Sequence, residues 1–318
     1  MKKYYIINNY NLQLFAENTQ TTGTLSDEMK VFYSDYLIDN AAPKLVHDQF
    51  GQKHPIPKNG GKQIEFRKYS PLPKLLTPLT EGVTPDGQSL TVTTVTGEVK
   101  QYGGYITLSD MLILTAIDNN MVQATKLLGA QAGATLDTIT REVLNGGTNV
   151  VYAGGVSGRE ALADNLTVDD IKKAVRALKN QNAEKIGDSY VAIIHPDVTY
   201  DLTNDPTWQA VKDYDPKDWY EGEIGKIAGV RFVETTEAKI FDGGVYSTLI
   251  LGENAYGVTE IEGGGLQHIV KQLGSAGTAD ALNQRATVGW KATKCAERLV
   301  EQFMVRIESK STFAGEAN

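Results

Sequence analysis

The stretch from Ser109 to Gly147, SDMLILTAIDNNMVQATKLLGAQAGATLDTITREVLNGG, constrains the fold more than any other part of the chain. Apolar or small residues recur at Leu114, Ile117, Met121, Ala124, Leu128, Ala132, Leu136, Ile139 and Val143. Steps of three and four keep one face of an α-helix apolar over many turns. Ser109 and Asp110 supply an N-cap and an acidic first turn, and Asn145-Gly146-Gly147 supplies a left-handed stop. Asp118-Asn119-Asn120 offers a point at which a first short helix splits off. At 1.5 Å per residue the element reaches about 50 Å. A stripe that long needs a long partner, such as a sheet laid along it. Gly129 and Gly133 cost helix propensity and point to close backbone approach on that face.

Composition narrows the task. With 318 residues, 41% of them hydrophobic, the chain can build one large core or two interleaved ones. Its formal net charge of −8, with Lys and Arg dispersed, argues against binding nucleic acid or anionic membrane as the main role. Cys295 is the one cysteine, which excludes a disulfide framework and fits a reducing site of synthesis. The opening residues make a poor signal peptide, and no apolar run approaches a membrane span. A cytosolic, soluble chain is the expectation.

Residues 1 to about 24 read as an extended arm, and Ser26-Asp27-Glu28 caps a short helix ended by Asn40 to Pro43. From Ile56 to Leu108 the pattern becomes that of a long hairpin. Gln63 to Arg67 alternates with period two, as a half-buried strand does. Pro71, Pro73, Pro78 and Pro85 follow, and Leu79 to Gly87 is turn chemistry. A second strand starts at Leu90, with a phase slip between Val92 and Val95 that predicts a bulge. A two-stranded hairpin is marginal by itself in water. This one has too few large apolar residues for a core, so it must lie on its own domain or on a neighbouring subunit.

Beyond a Gly-rich connection at Thr148 to Gly158 comes a compact α/β section. Thr167 with Asp170 opens a helix whose buried face is Ile171, Ala174, Val175 and Leu178. Tyr190 to Ile194 and Tyr246 to Leu251 are continuously apolar strands, as expected for burial on both faces. A short helix follows His195-Pro196-Asp197, another spans Trp208 to Val211, and Val230 to Val233 is a strand. Finally Tyr256–Ile261, Leu266–Lys271, Thr287–Lys294 and Leu299–Glu308 read as strands of one antiparallel sheet, the natural partner of the long helix.

Signals for catalysis are weak. No GxSxG, HExxH, CxxC or Walker sequence occurs, and His47, His54, His195 and His268 lack metal-ligand spacing. His195-Pro196-Asp197 is best read as a turn in which Asp197 caps the next helix. Asp213, Asp215 and Asp218 read as a solvated acidic loop, and Cys295 as a small core residue. Two long extensions that cannot stabilise themselves imply that neighbouring copies supply the missing surface. Head-to-tail contacts of that kind close into rings or shells.

The run KNGGKQIEFRKYSPLPKLLTPLTEGVTPDGQSLTVTTVTGEVKQYGGYITLSDMLILTAID resembles the extended-loop region of phage major capsid proteins of the coliphage N-four type. LLGAQAGATLDTITREVLNGGTNVVYAGG, the IIHPDV turn and GEIGKIAGVRFVE are similar to the same family, and NLQLFAE resembles the N-termini of phage structural proteins from Gram-positive hosts. The resemblance implies an α+β chain with the Hong Kong 97-type capsid fold. It places an N-terminal arm with a short helix at 1–55 and an extended loop at 56–108. A peripheral domain follows at 109–165 and 252–318, with a spine helix and antiparallel sheet, and an α/β axial domain at 166–251. Phe66, Pro71, Pro73, Leu79, Glu81, Gly82, Pro85 and Asp86 would then form the inter-subunit loop. Ile117, Met121, Leu128, Leu136 and Ile139 would line the core face of the spine, and His195, Pro196 and Asp197 the axial-domain turn.

The implied function is that of a non-enzymatic subunit without cofactor or metal. It would build pentamers and hexamers of an icosahedral head in the host cytoplasm, enclosing double-stranded DNA without specific binding and touching no membrane. Only about 55 residues precede the extended loop, so a separate scaffolding protein and a portal protein are the expected partners. Lys62, Lys68 and Lys74 lie in the hairpin with no sequence sign of a cross-linking partner. The alternatives are an encapsulin-like nanocompartment shell and an enzyme built around His195 and Asp197.

Overall fold

The computed structural model describes residues 46–318 apart from 80, 85, 116–119, 213–224, 276 and 314. The expected N-terminal arm, the short helix after Ser26 and the acidic residues Asp213, Asp215 and Asp218 lie outside the described residues, as do Pro85 and Ile117.

The chain enters through β1 (Gln52–Lys53), forms a hairpin from β2 (Gln63–Tyr69) and β3 (Val92–Glu98), and runs through Val99 into β4 (Lys100–Ser109). Two helices follow, α1 (Asp110–Thr115) and α2 (Asn120–Asn145), then β5 (Val150–Tyr152) and α3 (Val168–Asn180). The lobe beyond comprises β6 (Tyr190–Ile194), α4 (Pro196–Thr203), α5 (Pro206–Lys212), β7 (Lys226–Ile227), β8 (Val230–Glu234), β9 (Ile240–Phe241) and β10 (Val245–Leu251). The remainder is β11 (Tyr256–Thr259), β12 (Gln267–Lys271), β13 (Arg285–Arg298) and β14 (Met304–Ser309).

Helix α2 extends about 39 Å and joins two sheets. Its middle, Leu128, Ala132 and Leu136, packs on Val288, Trp290 and Ala292 of β13, with Met121, Ile139 and the β4 residues Tyr102 and Ile106 at the margin. Its end, through Leu144, packs on Ile193, Leu249 and Met304 of the second sheet. Gly129 and Gly133 are buried on this broad stripe. Ser109 does cap α1, accepting the Leu112 N–H at 3.2 Å.

The C-terminal stop differs from the expectation. Neither Gly146 nor Gly147 is left-handed. Instead Arg298 donates to the Val143 carbonyl at 2.7 Å and Arg306 to that of Asn145. Guanidinium groups on the last carbonyls satisfy the orphan acceptors and the negative helix end without glycine.

The first sheet is built on β13. β4 runs along one side, from Arg285↔Ser109 to Lys294↔Lys100, while β12 and then β11 pair with successive stretches of the same strand. β1 adds parallel to β11. The second sheet has seven strands, β5-β14-β10-β6-β8-β7 with β9 on β10. β6 and β10 are buried throughout. Ala192, Ile194 and Ile250 face α3 through Ile171, Ala174 and Leu178, whereas Ile193 and Leu249 face α2. Cover on both faces explains their unbroken apolar sequence.

Two expectations are corrected here. Leu299–Glu308 is not one strand: a 3-10 turn at Glu301–Phe303 interrupts it, and β14 leaves the antiparallel C-terminal sheet to pair with β10. Val305 and Ile307 fill the α3 side of that sheet and Met304 the α2 side, so β14 needs cover on both faces. The expected bulge in β3 is also absent, since its ladder with β2 is regular from Gln63↔Glu98 to Tyr69↔Val92. Val92 is exposed and only Val95 turns inward, so the apparent slip needs no extra residue.

Thr167 caps α3 as expected, accepting the Asp170 N–H at 3.4 Å and donating to its carboxylate at 2.7 Å. Thr167→Ala should cost about 1 kcal/mol, read as a fall of a few degrees in the melting temperature of the free subunit.

Candidate assembly surfaces

The hairpin divides into a seated base and a bare tip. At the base, Ile64 joins Ile56, Val99, Cys295 and Ile261 in a small core. A Cβ added to Gly257 of β11 would lie 2.9 Å from the Phe66 ring, and one added to Gly97 would lie 2.8 Å from the Cys295 sulfur. Phe66, expected among the inter-subunit residues, therefore packs on its own chain, with the His54 ring 5.9 Å away. Glycine at 257 and 97 is what lets the arm approach so closely.

Among the described residues there is no such support beyond Tyr69. Leu72, Leu75, Leu76, Leu79, Val83 and Leu90 are all exposed, Leu75, Leu76 and Leu79 at 79%, 85% and 77%. Pro71, Pro73, Glu81, Gly82 and Asp86 share the same exposed excursion, and Gly82 turns it with φ +78°. Soluble monomers rarely expose so many aliphatic side chains in one short segment, and such patches mark interaction sites. Lys62 pairs with Glu98 at 2.7 Å at the base.

His195-Pro196-Asp197 is structural, with roles opposite to those expected. The His195 ring nitrogen, not Asp197, caps α4, accepting the Asp197 N–H at 3.2 Å with Pro196 in the first helical turn. The Asp197 carboxylate accepts the Tyr246 hydroxyl at 2.6 Å. Burial lowers the His195 pKa, while burial and the Asp197 bond hold the Tyr246 phenol well above its usual range. Both side chains are thus engaged in holding β6, α4 and β10 together. Among the described residues no group of three or more His, Cys, Asp or Glu is placed to hold a metal.

A buried polar clasp went unseen in the sequence. The His47 N–H and its ring Nδ1 meet the two Asp137 oxygens at 2.8 and 2.6 Å, and the Tyr256 hydroxyl donates to the His47 carbonyl. Next to them Asp48 accepts the Thr140 hydroxyl at 2.5 Å and pairs with Lys294. The clasp ties residues 47–48 to α2, β11 and β13. Asp137 and Thr140, three apart on the border of the apolar stripe, were its available signal.

Cys295 lies under the hairpin base, and burial raises its thiol pKa to about 11. At pH 8 a thiol reagent should leave the native subunit unmodified and react fully once guanidinium unfolds it.

The comparisons agree with this architecture. A family model described as phage capsid protein matches residues 92–294, well over half of the chain. A search of curated proteins finds no match. The fold is similar to that of the capsid of Cyanophage P-SCSP1u, with TM-score 0.67 and 13% identity over 84% of this chain and 89% of that one. The Cyanophage Pam1 capsid gives TM-score 0.67 at 15% identity over 87% and 93%, and the capsid of Ralstonia phage GP4 gives 0.65 at 14% over 85% and 89%. At such identities the structural likeness speaks for the fold, and the family model for membership. This chain belongs to the phage capsid protein family and is a structural protein of a bacteriophage shell.

Proposed function

We propose that this chain is the major capsid protein of a tailed double-stranded DNA phage or prophage, with the Hong Kong 97-type arrangement of the N-four-like relatives. Pentamers and hexamers build an icosahedral head in the host cytoplasm, with a separate scaffolding protein guiding curvature and a portal protein at one vertex. The observation that carries this reading is the bare hairpin tip, a row of exposed aliphatic side chains on an arm with no core of its own. Docked on an adjacent subunit, the tip gains the surface it lacks, which couples its ordering to assembly.

In this reading 56–108 is the extended loop, and α2 with the β13 sheet forms the peripheral body. The lobe around β6 and β10 is the axial domain that meets its copies at five- and six-fold positions. The acidic balance suits a shell that confines DNA without gripping it, since few basic contacts keep the genome free to leave. Negative-stain microscopy of the chain expressed alone and with its candidate scaffolding protein tests the proposal. Uniform hollow shells, or rings of five and six, are expected. Small monodisperse particles under both conditions would refute it.

A further inference from the structure

Helix α4 begins on an uncommon cap. Pro196 in its first turn has no N–H to satisfy, so the Asp197 N–H is the first donor that needs a partner. The His195 ring Nδ1 accepts it at 3.2 Å. Ser, Thr, Asn and Asp, the usual residues at this position, accept through oxygens that remain acceptors in mild acid. An imidazole nitrogen accepts only while it carries no proton. The cap of α3 has no such condition, because there the Thr167 hydroxyl takes the Asp170 N–H.

The surroundings make a proton on that ring costly. The His195 side chain is 14% exposed, and its ring lies 5.1 Å from that of Tyr246. The titratable groups facing it are Asp197 on α4 itself, Glu234 at the end of β8 and the Tyr246 phenol on β10. Protonated Nδ1 would set two donors against each other and add charge at the positive end of the helix. The compensating partner in reach is an Asp197 carboxylate oxygen at 3.4 Å, and that same oxygen already accepts the Tyr246 hydroxyl at 2.6 Å. Burial outweighs the pull of Asp197 and Glu234 and holds the ring pKa below its ordinary value.

Helix α4 holds more than itself. In its last turn Asp201 accepts the Thr312 N–H at 2.9 Å and the Thr312 hydroxyl at 2.6 Å, which pins the chain beyond β14. Beside that anchor the exposed rings of Tyr200 and Phe313 meet at 5.2 Å. We infer that His195 is an acid-sensitive latch, whose protonation uncaps α4 and loosens both the Thr312 anchor and the aromatic surface next to it. The latch belongs to the single subunit and stands apart from the assembly reading. Its sign follows from the lowered pKa. The unfolded chain binds the proton more readily, so the stability from His195 is present above the ordinary histidine value and is lost as pH falls through the lowered one.

Hydrogen exchange of the free subunit tests the latch. After correction for the intrinsic effect of pH, amides of Thr199 to Thr203 should open about fivefold more often near about pH 5 than near about pH 8, the equivalent of one lost cap, while α3 is unchanged. His195→Asn, whose amide oxygen caps at either pH, should abolish the difference. His195→Ala should open α4 to the acid level at both. Equal protection of wild-type α4 at the two pH values would overturn the inference, and so would an unaltered pH response in His195→Asn. Nitrogen NMR of the wild-type imidazoles gives a reading that needs no variant. The neutral His195 ring should carry its proton on Nε2; a proton on Nδ1 would show that the ring is not the acceptor and would sink the proposal.

Discussion

Removal of Leu72–Gln88 is expected to leave a folded, soluble subunit that forms no shells. The deletion takes no residue from any buried cluster of the described fold. Ser70 N–H donates to the Thr91 carbonyl at 3.0 Å, so the cut ends already lie together. Pro71, Ser89 and Leu90 remain as a three-residue loop, a length that hairpins accept. What disappears is the apolar surface available to a neighbour. Burying the five exposed aliphatic side chains that the deletion removes, at about 1.5–3 kcal/mol each, contributes roughly 8–15 kcal/mol per contact. Association itself costs on the order of 4–15 kcal/mol. Losing a term of that size reverses the balance at every interface of a shell, while the melting temperature of the subunit barely moves. Sedimentation velocity and negative-stain images of the deletion variant provide the check. Closed shells of normal size would show that assembly does not depend on the tip.

The parts of this fold that were legible in the sequence are those fixed by local periodicity. The stripe Leu128, Ala132, Leu136 gave α2 its place against β13, and the unbroken apolar runs of β6 and β10 announced cover on both faces. What failed were choices settled by distant partners. β14 alternates like its neighbours, and nothing within Met304–Ser309 says that its ladder runs to β10 and not to β13. That the Phe66 ring also seats against its own chain was hidden because Gly257, which leaves room for it, stands far off in sequence. The helix stop misled for the same reason: Asn145-Gly146-Gly147 is turn chemistry, but Arg298 and Arg306 reach the carbonyls from 155 and 161 residues away. The clasp was equally hidden, because His47 and Asp137 are separated by 90 positions. The hairpin's lack of a core was legible because that deficiency is local, although the division into a seated base and an exposed tip was not. Too few partners lie within it, whatever the rest of the chain does.

Lys294 tests that hidden clasp most severely. Its side chain is 5% exposed, and burial pulls its pKa below the usual lysine value even though Asp48, Asp137 and Glu260 oppose the shift. Desolvation therefore outweighs attraction at this ammonium, and the pair is not by itself a large source of stability. The sign has a pH consequence. With the folded-state pKa lowered, the unfolded chain binds more protons, so this residue makes stability rise as pH climbs from the lowered value towards about 10.5. Removing the cation alone is a different matter. Lys294→Met leaves the largely buried Asp48 carboxylate with the Thr140 hydroxyl as its one remaining side-chain partner among the described residues. Breaking one side of a buried pair costs about 3–5 kcal/mol, a fall in melting temperature on the order of 10 °C for a chain of this size. Removing both charges in Asp48→Leu with Lys294→Met should recover most of that loss, because no charge is then stranded. A thermal melt of the free subunit distinguishes the cases. A single variant as stable as wild type would mean that Asp48 finds solvent, and a double variant no better than the single would place the cost in packing of the lysine stem instead of in its charge.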